Sequence, residues 1–228
     1  MINTEIRAHP KYSNIFISGH PSSLKLYTRN LIPGKRVYGE RLITYKNMEY
    51  REWDPYRSKL AALLLENPRT DFLKSNLKCL YLGASSGTTI SHLSDIAYKG
   101  IIYGVEIAHR SVRQLIQNIS NRKNIIPIIG DANFPENYAK SIFTEINLIY
   151  QDVAQPNQAE IAISNCKYYL KDEGILILAI KSQSINSVQK SEKIYAREKG
   201  IVKNAGYEII ESLNIHKYAA NHIILIIK

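Results

Sequence analysis

Four apolar segments of the sequence each end in a residue suited to contact a ligand. In chain order these residues are Gly83, Glu106, Asp131 and Asp152. Short apolar runs of this kind are typical of buried strands. In open α/β sheets, ligands bind in the crevice at the carboxyl ends of the strands. We therefore expect the four residues to face one crevice.

The first segment breaks into a turn of small residues, since positions 79–89 read CLYLGASSGTT. Gly83 and Gly87 can take backbone angles closed to other residues, and Ser85 lets a ligand approach the main chain. A helix is predicted to follow from Thr88. A tight turn between a strand and a helix shows the same pattern without any ligand, so the turn by itself identifies none.

The acid after the second segment narrows the choice of ligand. Glu106 lies 23 positions after Gly83, the offset at which a doubly wound sheet places a carboxylate against a ribose. Three carboxylates at one edge would repel a pyrophosphate and attract a cation. Ser85 also replaces the second glycine of the dinucleotide-binding pattern. The sequence therefore favours S-adenosylmethionine (SAM), a sulfonium cofactor that carries adenosine, over NAD.

The composition indicates a basic protein with a substantial core. A chain of 228 residues suits one domain plus an appendage. Lys and Arg number 30 against 20 Asp and Glu, an excess that favours a polyanionic partner such as nucleic acid. Residues 1–60 alone hold 11 basic and 5 acidic residues, or +6 of the net +10. A general bias towards Lys, Ile, Asn and Tyr would give the same excess.

Cysteine use and hydropathy suggest an intracellular, cytoplasmic protein. Cys79 and Cys166 lie in apolar surroundings without metal-ligand spacing, so we expect two core residues and neither a disulfide nor a metal site. No leader pattern and no long apolar run is present, and we expect no membrane segment.

The pattern of turns and apolar periods predicts an α/β fold preceded by a small antiparallel β unit. Residues 12–18, 24–31, 36–42 and 43–50 are predicted strands, with a type II turn at Pro33-Gly34 and a helix capped by Asp54. The order of the later elements predicts a Rossmann-like, seven-stranded, mostly parallel sheet whose last strand is antiparallel. We divide the chain into residues 1–54, the β-rich unit, and residues 55–228, the domain predicted to bind SAM.

Several stretches resemble a known family. The matching segments are 30–40 (NLIPGKRVYGE), 50–62 (YREWDPYRSKLAA), 86–92 (SGTTISH), 130–132 (GDA), 152–156 (DVAQP) and 181–182 (KS). They resemble fibrillarin in its archaeal form, the RNA 2′-O-methyltransferase subunit of box C/D guide-RNA particles. The resemblance covers nearly the whole chain. It departs from the commoner family pattern at residues 84–86 (ASS), where a bulkier first residue is usual.

The resemblance implies an activity and a site. The activity is transfer of methyl groups from SAM to ribose hydroxyls of rRNA and tRNA. The implied cofactor-binding residues are Gly83, Ala84, Thr88, Thr89, Glu106, Ile107, Asp131, Ala132, Asp152, Val153, Ala154 and Gln155. The implied catalytic residues are Lys59, Asp152, Lys181 and, as a possible fourth, His222. The implied partners are the guide RNA with its target, a coiled-coil scaffold protein and a kink-turn-binding ribosomal-protein homologue.

Plainer interpretations remain for individual residues and for the whole chain. Lys59 could be a solvated lysine at a helix start, and His222 a structural histidine at a strand start. Lys181 could take a proton or only steer the substrate hydroxyl electrostatically. For the chain, the alternatives are a small-molecule O-methyltransferase, a non-catalytic RNA-binding scaffold and an NAD-dependent oxidoreductase.

Overall fold

The computed structural model describes residues 5–228, which form two β-sheets. The smaller sheet contains β1 (Arg7–Ala8), β2 (Ile15–Ser18), β3 (Lys25–Arg29), β4 (Leu42–Tyr45) and β5 (Met48–Trp53). Its order is β1-β2-β3-β5-β4, and every pairing is antiparallel. The predicted antiparallel β unit is therefore confirmed. The domain boundary at residue 54 stays a prediction, and residues 1–4 of that unit lie outside the described residues.

The larger sheet has seven strands in the order β11-β12-β10-β9-β6-β7-β8. They are β6 (Lys78–Leu82), β7 (Ile101–Glu106), β8 (Ile125–Ile129), β9 (Ile146–Gln151), β10 (Leu170–Lys181), β11 (Ile209–Asn214) and β12 (His222–Ile227). Strands β6 to β10 pair in parallel, whereas β12 runs antiparallel to both of its neighbours. This confirms the predicted mostly parallel sheet with an antiparallel last strand. Both faces of β12 are buried, which explains its unbroken apolar sequence.

Six α-helices in residues 5–228 accompany the larger sheet. They are α1 (Lys59–Leu65), α2 (Thr88–Ile96), α3 (His109–Ile119), α4 (Gln158–Tyr169), α5 (Ser182–Ile185) and α6 (Ser191–Asn204). Val112, Leu115 and Ile119 recur with a helical period in the sequence, and all three are buried in α3. Ile116, at the edge of the same stripe, is 47% exposed. Cys79 and Cys166 are buried in the two core clusters, as expected.

Two strand predictions in the small sheet were wrong. Residues 36–41 form bends and loop, and only Leu42 belongs to a strand, because the Glu40 carboxylate accepts the N–H groups of Val37 and Tyr38, at 3.0 and 2.8 Å, which a strand would offer to a neighbour. The predicted strand 43–50 is divided between β4 and β5. Lys46 and Asn47 form a tight hairpin there, both with positive φ, as a type I′ turn requires. The type II turn is confirmed, because Gly34 has φ +79° and Lys35 N donates to Ile32 O.

The first helix begins later than its sequence predicts. The Asp54 carboxylate accepts the Tyr56 N–H at 2.9 Å and closes a local turn. Ser58 is the residue that caps α1, since its Oγ accepts the Ala61 N–H at 3.3 Å. The predicted cap at Asp54 was wrong because a short acid can satisfy a nearby backbone N–H in a turn as well as at a helix start.

A buried polar cluster joins the small sheet to α2. Arg51 on β5 is fully buried, and its guanidinium contacts Asp95 of α2 at 2.7 Å and Glu40 at 2.6 Å. Arg122 reaches the other Asp95 oxygen at 2.6 Å. Removing one partner of such a cluster leaves an uncompensated buried charge, which is strongly destabilising. The cluster therefore holds the small sheet in one position on the helix that starts at the ligand-binding turn.

His92 of α2, in its neutral form, also contacts the small sheet. Its ring stacks on Trp53, with centroids 4.8 Å apart. The Thr28 hydroxyl donates to Asp95, so it accepts from His92 Nδ1–H at 2.8 Å, and His92 Nε2 faces the Tyr38 hydroxyl at 2.7 Å. Burial, and then the charges of Arg51 and Arg122, hold the pKa of His92 well below its ordinary value.

Candidate active site

The turn after β6 requires glycine at its first position. Gly83 has φ +85°, and a Cβ there would lie 2.6 Å from the Asp152 carbonyl oxygen. The strand end of β6 and the strand end of β9 therefore touch through main chain alone. Gly87 also has a positive φ, +109°. The conformational role predicted for both glycines is confirmed.

Glu106 lies at the end of β7 and faces this turn. One carboxylate oxygen accepts the Ser85 N–H at 2.9 Å, and the other accepts the Ala108 N–H at 2.9 Å. The side chain is therefore held in place beside the turn while it stays half-exposed. A carboxylate has acceptor capacity beyond these two bonds, so it can still bind hydroxyl groups.

A cavity of about 330 Å³ opens between these strand ends. Its lining includes most of the predicted cofactor residues: Gly83, Glu106, Ile107, Ala132, Asp152, Val153, Ala154 and Gln155. The lining combines small and apolar residues with two carboxylates, those of Glu106 and Asp152, which suits a cationic ligand that carries hydroxyl groups. The ends of β6, β7, β8 and β9 thus meet at one edge. Of the four residues expected to face the crevice, Gly83, Glu106 and Asp152 line the cavity and Asp131 does not.

The other four predicted cofactor residues are not among those that line the cavity. Asp131 accepts from the backbone N–H and side-chain amide of Asn133, both at 2.9 Å, and Asn133 in turn contacts Gln155. Ala84 and Thr89 are buried, with exposures of 1% and 4%. Thr88, half-buried, is the first residue of α2. Of the four, Asp131 is linked through Asn133 to Gln155 of the lining.

Lys59 and Asp152 form an ion pair at the mouth of the cavity. Lys59 Nζ lies 2.7 Å from Asp152 Oδ1 and 2.9 Å from Oδ2. Lys59 is the first residue of α1, and Ser58, which caps that helix, shares a 2.9 Å hydrogen bond with the Thr89 hydroxyl. The start of α1 is thus tied to the start of α2. Asp152 belongs to both the cavity lining and the ion pair.

Lys181 and His222 face each other across the β10–β12 pairing, where their Cα atoms are register partners. His222 Nδ1 lies 2.7 Å from the Ala220 carbonyl, to which it must donate, so the neutral ring keeps Nε2 as an acceptor. Nε2 is buried and has no partner among the described residues. Burial, the largest cause, lowers the pKa of His222, and the charges of Lys59 and Lys181 act in the same direction. The four predicted catalytic residues are therefore brought together.

Gln158 is a supporting residue that sequence reasoning missed. Its fully buried side chain accepts the Lys181 N–H at 2.9 Å and donates to the carbonyls of Gln155 and Lys181, at 2.9 and 3.2 Å. One amide thus clamps the strand end that carries Lys181 to the loop that lines the cavity. The only signal in the sequence is a glutamine at a predicted helix start, which is commonplace.

Two kinds of feature are absent from the described part of the chain. Across residues 5–228, no three His, Cys, Asp or Glu side chains are grouped so as to hold a metal ion. No helix in the same range is long and apolar enough to cross a membrane.

A family model described as Fibrillarin matches residues 6–228 of the sequence. The chain belongs to the fibrillarin family. It is 45% identical over 207 residues to a fibrillarin-like rRNA/tRNA 2′-O-methyltransferase of Saccharolobus solfataricus, and the match covers 90% of this chain and 89% of the relative. The family resemblance drawn from the motifs at residues 30–40, 50–62 and 86–92 is therefore confirmed.

Solved structures of fibrillarins have the same fold. The Aeropyrum pernix fibrillarin, crystallised with natively bound S-adenosyl-L-methionine, superposes with a TM-score of 0.90 at 39% identity, over the full length of both chains. The fibrillarin of a fibrillarin/Nop5p complex gives a TM-score of 0.79 at 37% identity, covering 89% of this chain and 93% of that one. These likenesses confirm the Rossmann-like methyltransferase fold with its separate antiparallel sheet.

Proposed function

We propose that this chain is an RNA ribose 2′-O-methyltransferase that uses SAM and modifies rRNA and tRNA as the catalytic subunit of a box C/D particle. The observation that supports this proposal is that Asp152 belongs both to the cofactor cavity and to the catalytic set. It lines the cofactor cavity and also pairs with Lys59 at 2.7 Å, so the methyl donor and the catalytic set meet at one carboxylate. A relative that is 45% identical to this chain is named as an enzyme of this activity.

The cavity residues suit SAM. Glu106 would accept the ribose hydroxyls, and the loop of Asp131 and Ala132 would hold the adenine side. Asp152 and the following three residues would line the end where the sulfonium charge lies. Bound there, the cofactor supplies an electrophilic methyl group with a good leaving group. Thr88, Thr89 and Ala84 would act by shaping the turn that receives it.

The protein must then align the ribose O2′ and remove its proton. Alignment can supply a large share of the rate. Two groups of the catalytic set can take the proton. Lys181 makes no salt bridge among the described residues, and His222 presents the unpartnered Nε2. Lys59, paired with Asp152, would orient that carboxylate and add positive charge beside the hydroxyl.

Target choice requires partners. The sequence contains no RNA-reading module such as aromatic RNP motifs or a KH loop. We propose that a scaffold protein docks on this chain, by analogy with Nop5p in the complex of a related fibrillarin. A guide RNA and a kink-turn-binding protein would complete the particle, and base pairing would select the nucleotide. A cytoplasmic location, where such RNAs are processed in cells without a nucleus, belongs to the same proposal.

Reconstitution tests this function. The isolated chain should bind SAM but transfer few methyl groups, whereas the assembled particle should transfer labelled methyl from SAM to the guided ribose of a defined RNA. A guide with altered sequence should move the methylated position. Methylation of catechol-like molecules in place of RNA, or efficient site-specific methylation by the chain alone, would contradict the proposal.

A further inference from the structure

A second cleft, of about 720 Å³, lies beside the catalytic set and has no part in the chemistry described above. It separates the small sheet from α1. Its walls are the start of β3, the loop of Tyr38, the segment that precedes α1 and the turn between β11 and β12. This cleft is larger than the cofactor cavity and shares no lining residue with it.

An aromatic pair stands in the cleft. The rings of Tyr56 and Tyr218 meet edge to face, with centroids 5.5 Å apart. Tyr56 is 68% exposed, although exposing a large ring to water costs hydrophobic free energy. Tyr218 is half-buried, packs against the core and donates its backbone N–H to Ile215 O at 2.9 Å. One ring is thus anchored and the other is open to a ligand.

Each tyrosine of the pair has a cationic neighbour in the chain, since Arg57 follows Tyr56 and Lys217 precedes Tyr218. The Arg57 guanidinium lies 4.9 Å from the centre of the Tyr38 ring and donates through Nη1 to Tyr38 O at 3.1 Å. Lys217 Nζ lies 5.2 Å from the centre of the Tyr218 ring. Neither cation makes a salt bridge among the described residues. Aromatic faces interleaved with cations are the composition of sites that bind single-stranded nucleic acid.

The cleft lining also contains acidic residues. Glu40 is paired with the buried Arg51, and Glu52 is paired with Lys25 at 2.8 Å. Asp54 and Glu66 make no salt bridge among the described residues, and the Asp54 carboxylate accepts the Tyr56 N–H. The charged residues directly next to the two tyrosines in the chain, Arg57 and Lys217, are both positive.

The aromatic pair is close in sequence to the catalytic set. Tyr56 precedes Lys59 by three residues, and Tyr218 precedes His222 by four. Because the two rings touch, the two segments that lead into the catalytic set are brought together at this cleft. A strand whose ribose lies in the catalytic set would extend across it.

We propose that the Tyr56–Tyr218 cleft binds an unpaired nucleotide of the RNA substrate that flanks the ribose to be methylated. The base stacks on the tyrosine pair, and Arg57 and Lys217 contact the neighbouring phosphates. This inference rests on the proposed function, because it places the RNA relative to the methyl-transfer site.

The reconstituted particle tests it with two readouts. Tyr56→Ala should raise the apparent KM for the RNA about 5- to 150-fold, the loss expected for one stacked base, and leave the SAM affinity of the chain unchanged by calorimetry. Tyr56→Phe, which keeps the stacking face, should stay close to the wild type. In wild-type particles, 4-thiouridine placed beside the target should cross-link to the peptides that contain Tyr56 or Tyr218.

Tyr98 provides the matched control. It is 46% exposed and has Lys99 Nζ 5.5 Å from its ring centre, but it lies before β7, at the opposite edge of the sheet. Tyr98→Ala should not change the KM for the RNA. An unchanged KM in both Tyr56→Ala and Tyr218→Ala, or cross-links confined to other segments, would overturn the proposal. So would loss of the scaffold protein from Tyr56→Ala particles, which would make the cleft a protein-docking site.

The cross-link separates failure of this inference from failure of the proposed function. If the wild-type particle binds no SAM and transfers no methyl group, the proposed function fails. The cross-linking pattern then still decides whether RNA occupies the cleft.

Discussion

Lys59 Nζ lies 2.7 Å from Asp152 Oδ1, although 93 positions separate the two residues in the chain. The pair joins the first residue of α1 to the loop that lines the cofactor cavity. The Asp152 carboxylate is therefore paired with Lys59, and Lys181 makes no salt bridge with Asp152. Lys181 is the lysine of the catalytic set whose nitrogen remains available to the substrate.

Substitution of Lys181 should affect the rate and spare cofactor binding. Lys181→Ala is expected to lower the methylation rate of the particle about 10²–10⁴-fold, the usual contribution of a positioned acid or base, with nearly unchanged SAM affinity by calorimetry. Lys181→Arg separates proton transfer from electrostatic steering, because arginine keeps the charge and cannot lose its proton. Substantial activity in the Arg variant would exclude Lys181 as the base, and a wild-type rate in the Ala variant would remove it from the mechanism.

Substitution of Glu106 should weaken cofactor binding, which substitution of Lys181 spares. Glu106→Ala loses the carboxylate that would bind the ribose hydroxyls, and hydrogen bonds to a charged acceptor contribute about 1.5–3 kcal/mol. The SAM dissociation constant should rise about tenfold to a hundredfold. Glu106→Gln, which keeps an acceptor oxygen without the charge, should show a smaller rise. Calorimetry that finds the wild-type affinity in Glu106→Ala would rule out this role.

His222 should impose a pH dependence on the rate. Burial lowers its pKa below the ordinary 6.5, so the neutral form with Nε2 free to accept a proton already predominates at pH 7. The single-turnover rate should therefore be level above about pH 6.5 and fall as the pH drops through the lowered pKa. His222→Asn should lose this acidic limb along with part of the rate. If the single-turnover rate of His222→Asn fell at acidic pH in the same way as the wild-type rate, His222 would be a structural residue.

Substitution of Gln158 should lower the methylation rate, although this side chain does not contact the substrate. Gln158→Leu removes three hydrogen bonds that align Lys181 with the cavity loop, and small displacements of catalytic groups cost up to about 10²-fold in rate. We expect a loss of about 10- to 100-fold together with weaker SAM binding. Rescue by Gln158→His, which keeps one donor and one acceptor, should be partial.

Glu198 is the matched control for that variant. Glu198 lies in α6, and its buried carboxylate accepts the N–H of Ala159 at 3.0 Å. Ala159 directly follows Gln158 in α4. Glu198→Gln should keep this bond and the methylation rate. An equal loss of rate in both variants would mean that the helix start, and not the Gln158 clamp, sets the activity.

His92 should make the protein less stable in mild acid. The unfolded chain binds a proton on this histidine near pH 6.5, whereas the folded chain excludes it because burial, Arg51 and Arg122 lower the pKa. The unfolding free energy should therefore fall below about pH 6.5, by at most about 1.4 kcal/mol per pH unit from this group. His92→Asn should be less stable throughout, since it loses the stack on Trp53, but its stability should fall less steeply between pH 6.5 and 5. Parallel urea-unfolding profiles for the two proteins would contradict this.

The elements that follow from local chemistry could be read from the sequence. Residues 223–227 are all apolar and form most of the buried strand β12, and the stripe of Val112, Leu115 and Ile119 in α3 repeats with the helical period. Gly34 has the positive φ that its turn requires. The four strand ends converge because parallel strands share one edge, which is a property of the sheet and not of any single residue.

Tertiary structure decided which side chains meet. Asp54 has the sequence of a helix cap, but its carboxylate closes a turn and Ser58 caps α1. Thr89 could contact a cofactor or another hydroxyl, and here it bonds to Ser58. Side-chain hydrogen bonds reach a few ångströms in space and any distance along the chain. For this reason the amide of Gln158 and the pair of Lys59 with Asp152 could be assigned only after the strands and helices had been placed.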